Sequence, residues 1–291
     1  MSHPRIRPAT AADALAIEGF TADTFSWGDY VSEQFLGWLE HDESLVLVGV
    51  DGSDTAVAVS RILLLSAHEA WLHGARVHPD HRRQGFGRAM NEAGCDWAAQ
   101  KGALVARLVV EEWNTAARVQ VESSGYHAIA PWLWCTMDVR QDRFPVANGW
   151  RRVPGEERLT TGRSTEADMA WMAWSSSELA RAARELFPIG WYFRRMRPDD
   201  LRTAASRRGL WHAPSGWIMQ ETGDDGTMVV SWISTSDLDA GRLLHAIVDL
   251  ADGSRAERVR VMIPNVEWLV REVVSAGFEP HPATLYARPL G

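Results

Sequence analysis

The sequence is poor in cysteine and has no long apolar run. Cys95 and Cys135 are its only cysteines and their spacing is not that of metal ligands, so we expect reduced thiols rather than a disulfide framework. No apolar stretch approaches the roughly 18 residues that are needed to cross a bilayer, and the first residues lack the apolar core of a signal peptide. We therefore expect a cytoplasmic protein without a membrane partner.

Lysine is also scarce, and acidic residues outnumber basic ones by 38 to 30. Lys101 is the only lysine, and the formal net charge of the 291 residues is −8. Because an acidic protein is repelled by nucleic acids and by anionic lipids, neither is expected as a partner. The hydrophobic content of 46% is typical of a globular protein, and the length favours two domains over one. The fifteen tryptophans are interpreted as core and interface packing rather than as an aromatic ligand box.

One segment has the chemistry of a diphosphate-binding turn. Residues 77–90 read V-H-P-D-H-R-R-Q-G-F-G-R-A-M, in which Arg82, Gly85 and Gly87 form the pattern R-x-x-G-x-G between a predicted strand and a predicted helix. Glycines tolerate positive φ and carry no side chain, so several backbone N–H groups can converge on phosphate oxygens at the positive end of the helix. The alternative is an ordinary turn. A Rossmann fingerprint is disfavoured because Met90 occupies the place of its third glycine.

This segment resembles motif A of the GNAT acetyltransferase superfamily, whose members bind acetyl-CoA through V-x-P followed by R/Q-x-x-G-x-G/A. A second stretch, N-T-A-A-R-V-Q-V-E-S-S-G-Y over residues 114–126, is similar to a later motif of that family. The position at which many relatives carry a tyrosine general acid is Val121 in this sequence. The resemblance covers residues 6–140, and the matching positions of the later motif are Asn114, Ala117, Glu122, Gly125 and Tyr126.

The resemblance implies acetyl-CoA as co-substrate and no metal. Three histidines, His73, His78 and His81, are not interpreted as metal ligands, because residues 73 and 78 face opposite sides of a strand and the residues between them match the acetyl-CoA motif. The residues that the resemblance assigns to the cofactor are Val77, His78, Arg82, Arg83, Gln84, Gly85, Phe86, Gly87, Arg88 and Asn114.

Acetyl transfer requires an amine that has lost its proton. Neutralising a primary ammonium at pH 7 costs about 4–5 kcal/mol, so a base must help. His73 lies four residues before Val77, where relatives often carry an acidic base, and it is the candidate base; the alternative is a hydrogen-bonded core histidine. Glu111, at the end of the next strand, is either a secondary base or a solvated strand end. The acceptor is predicted to enter past a loop that could hold its ammonium and cover its apolar parts, through Trp27, Asp29, Tyr30 and Glu33.

The second half of the sequence is predicted to repeat the layout of the first. Residues 141–157 mix proline, glycine and charge and are predicted to be a linker, which gives domains at 1–145 and 156–291. The predicted fold class is α/β (α+β), a tandem GNAT fold with two mixed central sheets each flanked by helices. One helix of the second domain is predicted over 166–186.

The second domain is predicted to be a degenerate GNAT domain without a cofactor motif. If Gly241 corresponds to Gly87, then Asp239 replaces Gly85, and Gly277 corresponds to Gly125. Carboxylates at a helix N-terminus repel a diphosphate, so this domain is not expected to hold acetyl-CoA. The alternative is an unrelated α/β domain.

These expectations favour a bacterial acetyltransferase that moves an acetyl group from acetyl-CoA to the amine of a small molecule by direct transfer in a ternary complex. We expect a monomer or a homodimer in which the second domain is structural or shapes the acceptor pocket. The alternative is a non-catalytic acetyl-CoA-binding sensor or interaction protein, which Val121 favours. A protein-lysine acetyltransferase is a third possibility, disfavoured because a second domain over the cleft would block a polypeptide.

Overall fold

The chain divides into two compact units. The computed structural model describes residues 4–22, 24, 28–139, 157–223 and 226–291, so all but the last residue of the predicted linker lies outside the described residues. One unit consists of residues 1–128 and 285–291, and the other of residues 129–284. The predicted ranges are 1–145 and 156–291. In the structure, residues 129–138 belong to the second unit, and residues 285–291 belong to the first.

The first unit alternates strands and helices in the order that the sequence predicts. Its helices are α1 (Ala14–Thr21), α2 (Tyr30–Leu39), α3 (Phe86–Gln100) and α4 (Thr115–Ser123). Its strands are β1 (Arg5–Pro8), β2 (Ser44–Val50), β3 (Ala56–Ser66), β4 (Glu69–Val77), β5 (Val105–Glu111) and the first residues of β6 (His127–Asp138).

The first five strands pair in sequence order. The pairs β1–β2, β2–β3 and β3–β4 are antiparallel, whereas β4–β5 is parallel and is connected through α3. Strand β3 is buried over most of its length because both faces of the sheet are covered. One face packs against Ile17, Phe35 and Trp38 of α1 and α2, and the other packs against residues of α3 such as Cys95.

A β-bulge interrupts β4 just before the predicted cofactor turn. The register with β3 shifts by one residue between the pairs Arg61↔His73 and Val59↔Arg76. Gly74 occupies the bulge with φ +66, and a Cβ atom there would lie 2.6 Å from the Trp38 ring. Glycine is therefore required at this position both for its backbone conformation and for space, and the bulge changes the direction of the side chains that follow it.

The second unit has a similar arrangement. Its helices are α5 (Ala167–Ser175), α6 (Glu178–Ala182), α7 (Pro198–Ser206), α8 (Ala240–Gly253) and α9 (Glu267–Ser275). In addition to most of β6, its strands are β7 (Thr160–Thr161), β8 (Leu186–Ile189), β9 (Tyr192–Arg195), β10 (Leu210–Ala213), β11 (Gly216–Thr222), β12 (Thr227–Thr235), β13 (Arg258–Pro264) and the first part of β14 (Glu279–Pro289).

The sheet of the second unit is also mixed. The order of its paired strands is β6-β13-β12-β11-β10-β7, in which only β12–β13 is parallel. Helices α8 and α9 cover one face through a large apolar cluster that includes Leu243, Leu269, Val230 and Val261. Each unit therefore has the mixed sheet with flanking helices that the sequence predicts.

The helix predicted over 166–186 is wrong in its second half. The chain forms α5 and then restarts as α6, because the Ser177 side chain accepts a hydrogen bond from the Ala180 N–H and caps a new helix. Arg184 and Glu185 then adopt left-handed backbone conformations, which end α6 and lead into the hairpin β8–β9. Apolar residues at helical spacing did not reveal these two interruptions.

Replacement of Gly49 by alanine is expected to destabilise the first unit. A Cβ atom at Gly49 would lie 2.3 Å from Cδ1 of Phe86, the first residue of α3, whose ring is buried. Relieving this overlap should lower the free energy of unfolding by about 1–3 kcal/mol. Urea unfolding followed by circular dichroism measures the change.

Gly37→Ala is the matched control. Gly37 lies in α2, and no heavy atom of the described residues would approach its Cβ within 4 Å. Alanine there should be neutral or stabilise by up to about 1 kcal/mol. Equal free energies of unfolding for the two variants would contradict the packing of Phe86 on Gly49.

Candidate functional site

Helix α3 begins with backbone donors that no side chain caps. Its N-cap is Gly85, in a left-handed conformation with φ 89 and ψ 1. The Ala89 N–H donates to the Gly85 carbonyl at 3.0 Å, so the N–H groups of Phe86, Gly87 and Arg88 precede the first intrahelical bond. These groups lie at the positive end of a long helix, which suits an anion.

The two glycines of the motif have different reasons to be there. Gly85 needs its left-handed backbone, so the turn alone explains it. Gly87 has no such need, and its nearest neighbours would be Gln120 side-chain atoms at 3.6 Å or more, which is ordinary contact distance. Glycine inside a helix is unfavourable by roughly 0.5–1 kcal/mol relative to alanine. The packing of the described residues does not require glycine at position 87, and its role in cofactor binding stays a prediction.

The side chains of the motif stabilise this turn from several directions. Arg82 Nε donates to the Val77 carbonyl at 3.4 Å, and Gln84 Nε2 donates to the Asp80 carbonyl at 3.1 Å. His78 Nδ1 accepts from the Asp80 N–H at 3.2 Å.

The remaining predicted cofactor residues separate into exposed cations and structural groups. Arg82 and Arg83 are exposed beside the start of α3, whereas Arg88 is paired with Glu92 on the next turn. Phe86 is buried against Val57 and Ala58, so its side chain anchors the helix and is a core group.

Asn114 also has a structural explanation. It is the N-cap of α4, and its Oδ1 accepts from the Ala117 N–H at 3.1 Å. This bond explains Asn114 in the later motif without a ligand. A role of the Asn114 amide in cofactor binding stays a prediction.

Strands β4 and β5 part next to the turn. Their parallel pairing covers only Glu69–Trp71 with Val105–Arg107, although β4 continues to Val77 and β5 to Glu111. The two strands therefore diverge beyond Trp71 and Arg107. A groove between diverging strands that ends at a helix N-terminus is the shape that the resemblance implies for the pantetheine arm.

A cluster of cationic and aromatic side chains surrounds His73. The His73 and Trp38 rings form an edge contact with centroids 5.0 Å apart, and Arg61 lies opposite His73 on β3 with its Cζ 5.5 Å from the Trp38 ring. Arg61 is almost fully buried. Burial, followed by the charges of Arg61 and Arg76, lowers the pKa of His73 from 6.5 to about 3. His73 is therefore neutral at pH 7 and a weak proton acceptor.

Of the predicted acceptor residues, Asp29 has a structural role. Both of its carboxylate oxygens contact Arg76, at 2.5 and 3.1 Å, and one also accepts from the Val31 N–H as the N-cap of α2. Its side chain is fully buried. Since these contacts occupy the carboxylate, we do not retain the prediction that Asp29 holds the ammonium of an acceptor.

The other predicted acceptor residues differ in position. Tyr30 is partly exposed and contacts both the Trp38 ring and the Arg76 guanidinium. Glu33 is exposed in the first turn of α2, and Glu111 is half-buried at the end of β5. Trp27 lies outside the described residues.

The structure brings His73 together with Tyr30 through residues that sequence reasoning missed, namely Trp38, Arg61 and Arg76. The signal that could have found Arg61 is an arginine inside the apolar run 56–65. A buried arginine is uncommon unless charge or aromatic contacts stabilise it.

Neither tyrosine near α4 takes the place of the missing general acid. Val121 is buried in the core, and Tyr126 next to it shares a hydrogen bond with Cys95 Sγ at 3.4 Å. Burial raises the pKa of Tyr126 well above its ordinary value of 10.0. Tyr286 is also fully buried, with its hydroxyl donating to Glu122 at 3.1 Å and accepting from Arg118 at 3.4 Å.

The second unit repeats the first but lacks its anion site. Gly241 is the second residue of α8 as Gly87 is of α3, and Gly277 follows α9 with φ 89 as Gly125 follows α4 with φ 83. However, the N-cap of α8 is Asp239, which accepts from Ser236 Oγ at 2.6 Å. A carboxylate therefore lies where the first unit presents Gly85.

The groove of the second unit is also filled. Strands β12 and β13 pair up to Val230↔Val261 and then continue to Thr235 and Pro264. The space beside their ends is only about 10 Å³, room for one water molecule at most. It is lined by the buried rings of Trp132, Trp174 and Trp232.

The comparison with known protein families agrees with this geometry. Residues 13–121 match the family model of the acetyltransferase (GNAT) family. The chain is 30% identical over 99 residues to the ribosomal protein bS18-alanine N-acetyltransferase of Escherichia coli strain K12. That alignment covers 34% of this chain and 60% of the curated relative, which is less than two thirds of its length.

Solved structures share the fold over almost the whole chain. A GCN5-related N-acetyltransferase from Sphaerobacter thermophilus has a TM-score of 0.67 at 15% identity, covering 99% of this chain and 97% of that one. A tandem GNAT protein from the clavulanic acid biosynthesis pathway has a TM-score of 0.62 at 16% identity, covering 99% and 98%. The chain therefore shares the fold of a tandem GNAT protein.

In the part of the chain that the structure describes, no helix is long and apolar enough to cross a membrane. Among the same residues, no three His, Cys, Asp or Glu side chains are grouped so that they could hold a metal ion.

The His73 environment predicts a pH-dependent stability. Because the pKa in the folded state lies below 6.5, the unfolded chain binds the additional proton, so stability is highest above pH 6.5 and falls as the pH decreases towards about 3. Between pH 7 and pH 5, His73 should account for a loss of up to about 2 kcal/mol in the free energy of unfolding. Urea unfolding at the two pH values measures it.

His73→Gln should reduce this loss between pH 7 and pH 5. His127→Gln is the control, because His127 is exposed at the start of β6 and its replacement should preserve the full pH dependence. The same slope in wild type and His73→Gln would show that His73 is not held neutral by its surroundings.

Proposed function

We propose that the first unit binds acetyl-CoA and transfers its acetyl group to the amine of a small molecule. The observation that carries this proposal is the uncapped start of α3. The packing there does not require glycine at position 87, whereas close approach of a phosphate to the backbone would require it. The parting of β4 and β5 beside it supports the same cofactor. The match of residues 13–121 to the GNAT family model supports the reaction class.

Each part of the site has a distinct task in this proposal. The N–H groups of Phe86, Gly87 and Arg88 hold the diphosphate, assisted by the exposed charges of Arg82 and Arg83. The N–H groups of β4 beyond the β5 pairing hold the pantetheine arm and polarise the carbonyl. Acetyl-CoA, when bound, supplies a thioester that the amine attacks, and no covalent enzyme intermediate is required.

The chemistry of the site favours an acceptor amine of low pKa. An ammonium of pKa near 10.4 costs about 4–5 kcal/mol to neutralise at pH 7, whereas an α-amine of pKa near 7.8 costs about 1 kcal/mol. His73, with its pKa lowered to about 3, is a poor base for the first kind of amine. Thiolate departure is less demanding, because a thiol of pKa near 8.5 leaves readily, and this makes Val121 tolerable in place of a tyrosine.

The positive charges of Arg61 and Arg76 also favour an acceptor amine of low pKa. Arg61 and Arg76 flank His73 and lower its pKa, so they also favour the neutral form of a nearby amine. They disfavour a polyamine, whose several ammonium groups would be repelled. We therefore propose an α-amine or an amino sugar rather than a polyamine as acceptor, with Tyr30 covering its apolar part.

A second candidate function is a non-catalytic acetyl-CoA sensor. The observations that favour it are the replacement of the usual tyrosine by the buried Val121 and the weak basicity of His73. Both candidates require the cofactor site, so binding alone does not separate them.

Gly87→Asp is expected to abolish coenzyme binding without unfolding the protein. An aspartate in the first turn of a helix is favoured by the helix dipole, and a Cβ atom there meets only ordinary contacts. The same carboxylate repels a diphosphate, so calorimetric titration with acetyl-CoA and with CoA should lose its heat while the melting temperature is unchanged or higher. Gly19→Asp, which adds the same charge to exposed helix α1, should bind normally.

Release of CoA with a panel of amines separates the two candidate functions. We expect turnover with small α-amines and amino sugars to exceed that with polyamines when the amines are compared at equal concentration near pH 7. Tight binding of acetyl-CoA with no CoA release across the panel would refute the enzyme and support the sensor. Faster turnover of polyamines would refute the proposed role of Arg61 and Arg76.

A further inference from the structure

The second unit contains a recess that the proposed function does not use. Its volume is about 170 Å³, and it is lined by residues of β11, β12 and β13 and by the turn between β8 and β9. Val230 and Val261 face the apolar cluster under α8 and α9, so their neighbours Val229 and Arg260, which line the recess, face the other side of the sheet.

This recess is not the counterpart of the cofactor groove. Val229 and Arg260 are directly paired within the parallel ladder of β12 and β13, whereas the cofactor groove of the first unit lies beyond its ladder, where the strands part. The corresponding region of the second unit is the space closed by tryptophan rings. The recess therefore needs its own explanation.

Aromatic rings fix the position of a cation in the recess. The Arg260 Cζ lies 5.7 Å from the centroid of the Trp134 ring and 5.5 Å from that of Trp191, and the two rings contact each other edge to face at 4.6 Å. A guanidinium that stacks on two indoles loses rotational freedom. Its N–H groups lie in the guanidinium plane. This arrangement suits recognition of a carboxylate.

An acidic side chain lies on the opposite side of the recess. Glu221 on β11 is paired with Val229 on β12, which is paired with Arg260 on β13, so the two charged residues stand on either side of Val229. Two strand spacings separate their backbones, about 10 Å. Glu221 accepts a hydrogen bond from Ser231 Oγ at 3.2 Å, which fixes one carboxylate oxygen.

Apolar groups complete the lining. Trp191 is 40% exposed above the recess, and Met262 is buried at its base. A volume of about 170 Å³ is close to that of cavities that hold benzene-sized molecules. The occupant should therefore be small, with an apolar body and two opposite charges.

We propose that this recess binds a small zwitterion of the α-amino acid class. Its carboxylate pairs with Arg260 and its ammonium with Glu221, while its side chain packs against Trp191, Val229 and Met262. This site is independent of acetyl-CoA and of the proposed acetyl transfer.

Calorimetric titration of the full chain without coenzyme tests the proposal. The ligands are valine, leucine and methionine, together with the matched 2-hydroxy acids, which lack the ammonium. Arg260→Gln should weaken both kinds of ligand by about tenfold or more. Glu221→Gln should weaken the amino acids by a similar factor and leave the hydroxy acids unchanged or tighter.

Arg271→Gln, at an exposed position of α9, is the matched control and should bind like wild type. Because Arg260 packs on two tryptophan rings, its replacement could impair folding, so the fold of each variant is checked by circular dichroism. Glu221 is exposed, so Glu221→Gln keeps the test valid if Arg260→Gln fails to fold. Absence of heat with every amino acid at millimolar concentration would overturn the proposal. So would binding that is unchanged in Glu221→Gln, which would assign the amino acid to another site.

Discussion

The start of α3 depends on one close packing contact, that of the Phe86 ring on Gly49. The ring occupies the volume that any side chain at Gly49 would need, and it is buried against Val57 and Ala58. This contact fixes the first residue of α3 to the sheet, while the left-handed Gly85 turns the chain into the helix. Because N–H groups at a helix start bind an anion only when they converge on one point, the geometry of the proposed diphosphate site depends on this contact.

Local chemistry explains what could be predicted from the sequence. The strand, the turn with Gly85 and Gly87, and the helix that follows are encoded within residues 69–100, and the structure places them as expected. The repeat in the second half was also recoverable, since Gly241 and Gly277 stand at the same helix positions as their counterparts. Such motifs can be predicted from the sequence because each residue determines the local backbone conformation at its own position.

Tertiary contacts explain what could not be predicted. From the sequence Asp29 is an acidic residue in a loop, and only the fold places Arg76 against it and buries its carboxylate. His73 is the candidate base from its place in the motif, but its lowered pKa follows from burial and from the charges of Arg61 on the paired strand β3 and of Arg76, which only the fold brings close. The roles of His73 and Glu111 in catalysis therefore stay predictions, whereas the structural role of Asp29 follows directly from its contacts.

The membership of the final strand has a consequence for folding. Residues 285–291 belong to the first unit, where Tyr286 packs beside Val121 and Leu290 donates its N–H to the Leu104 carbonyl at 2.9 Å. During synthesis the ribosome releases residues 1–128 long before this strand, so the first unit remains incomplete until residues 285–291 have emerged. Co-translational completion of the first unit thus requires synthesis of the second half, and a chain truncated after residue 145 would lack part of the core of its first unit.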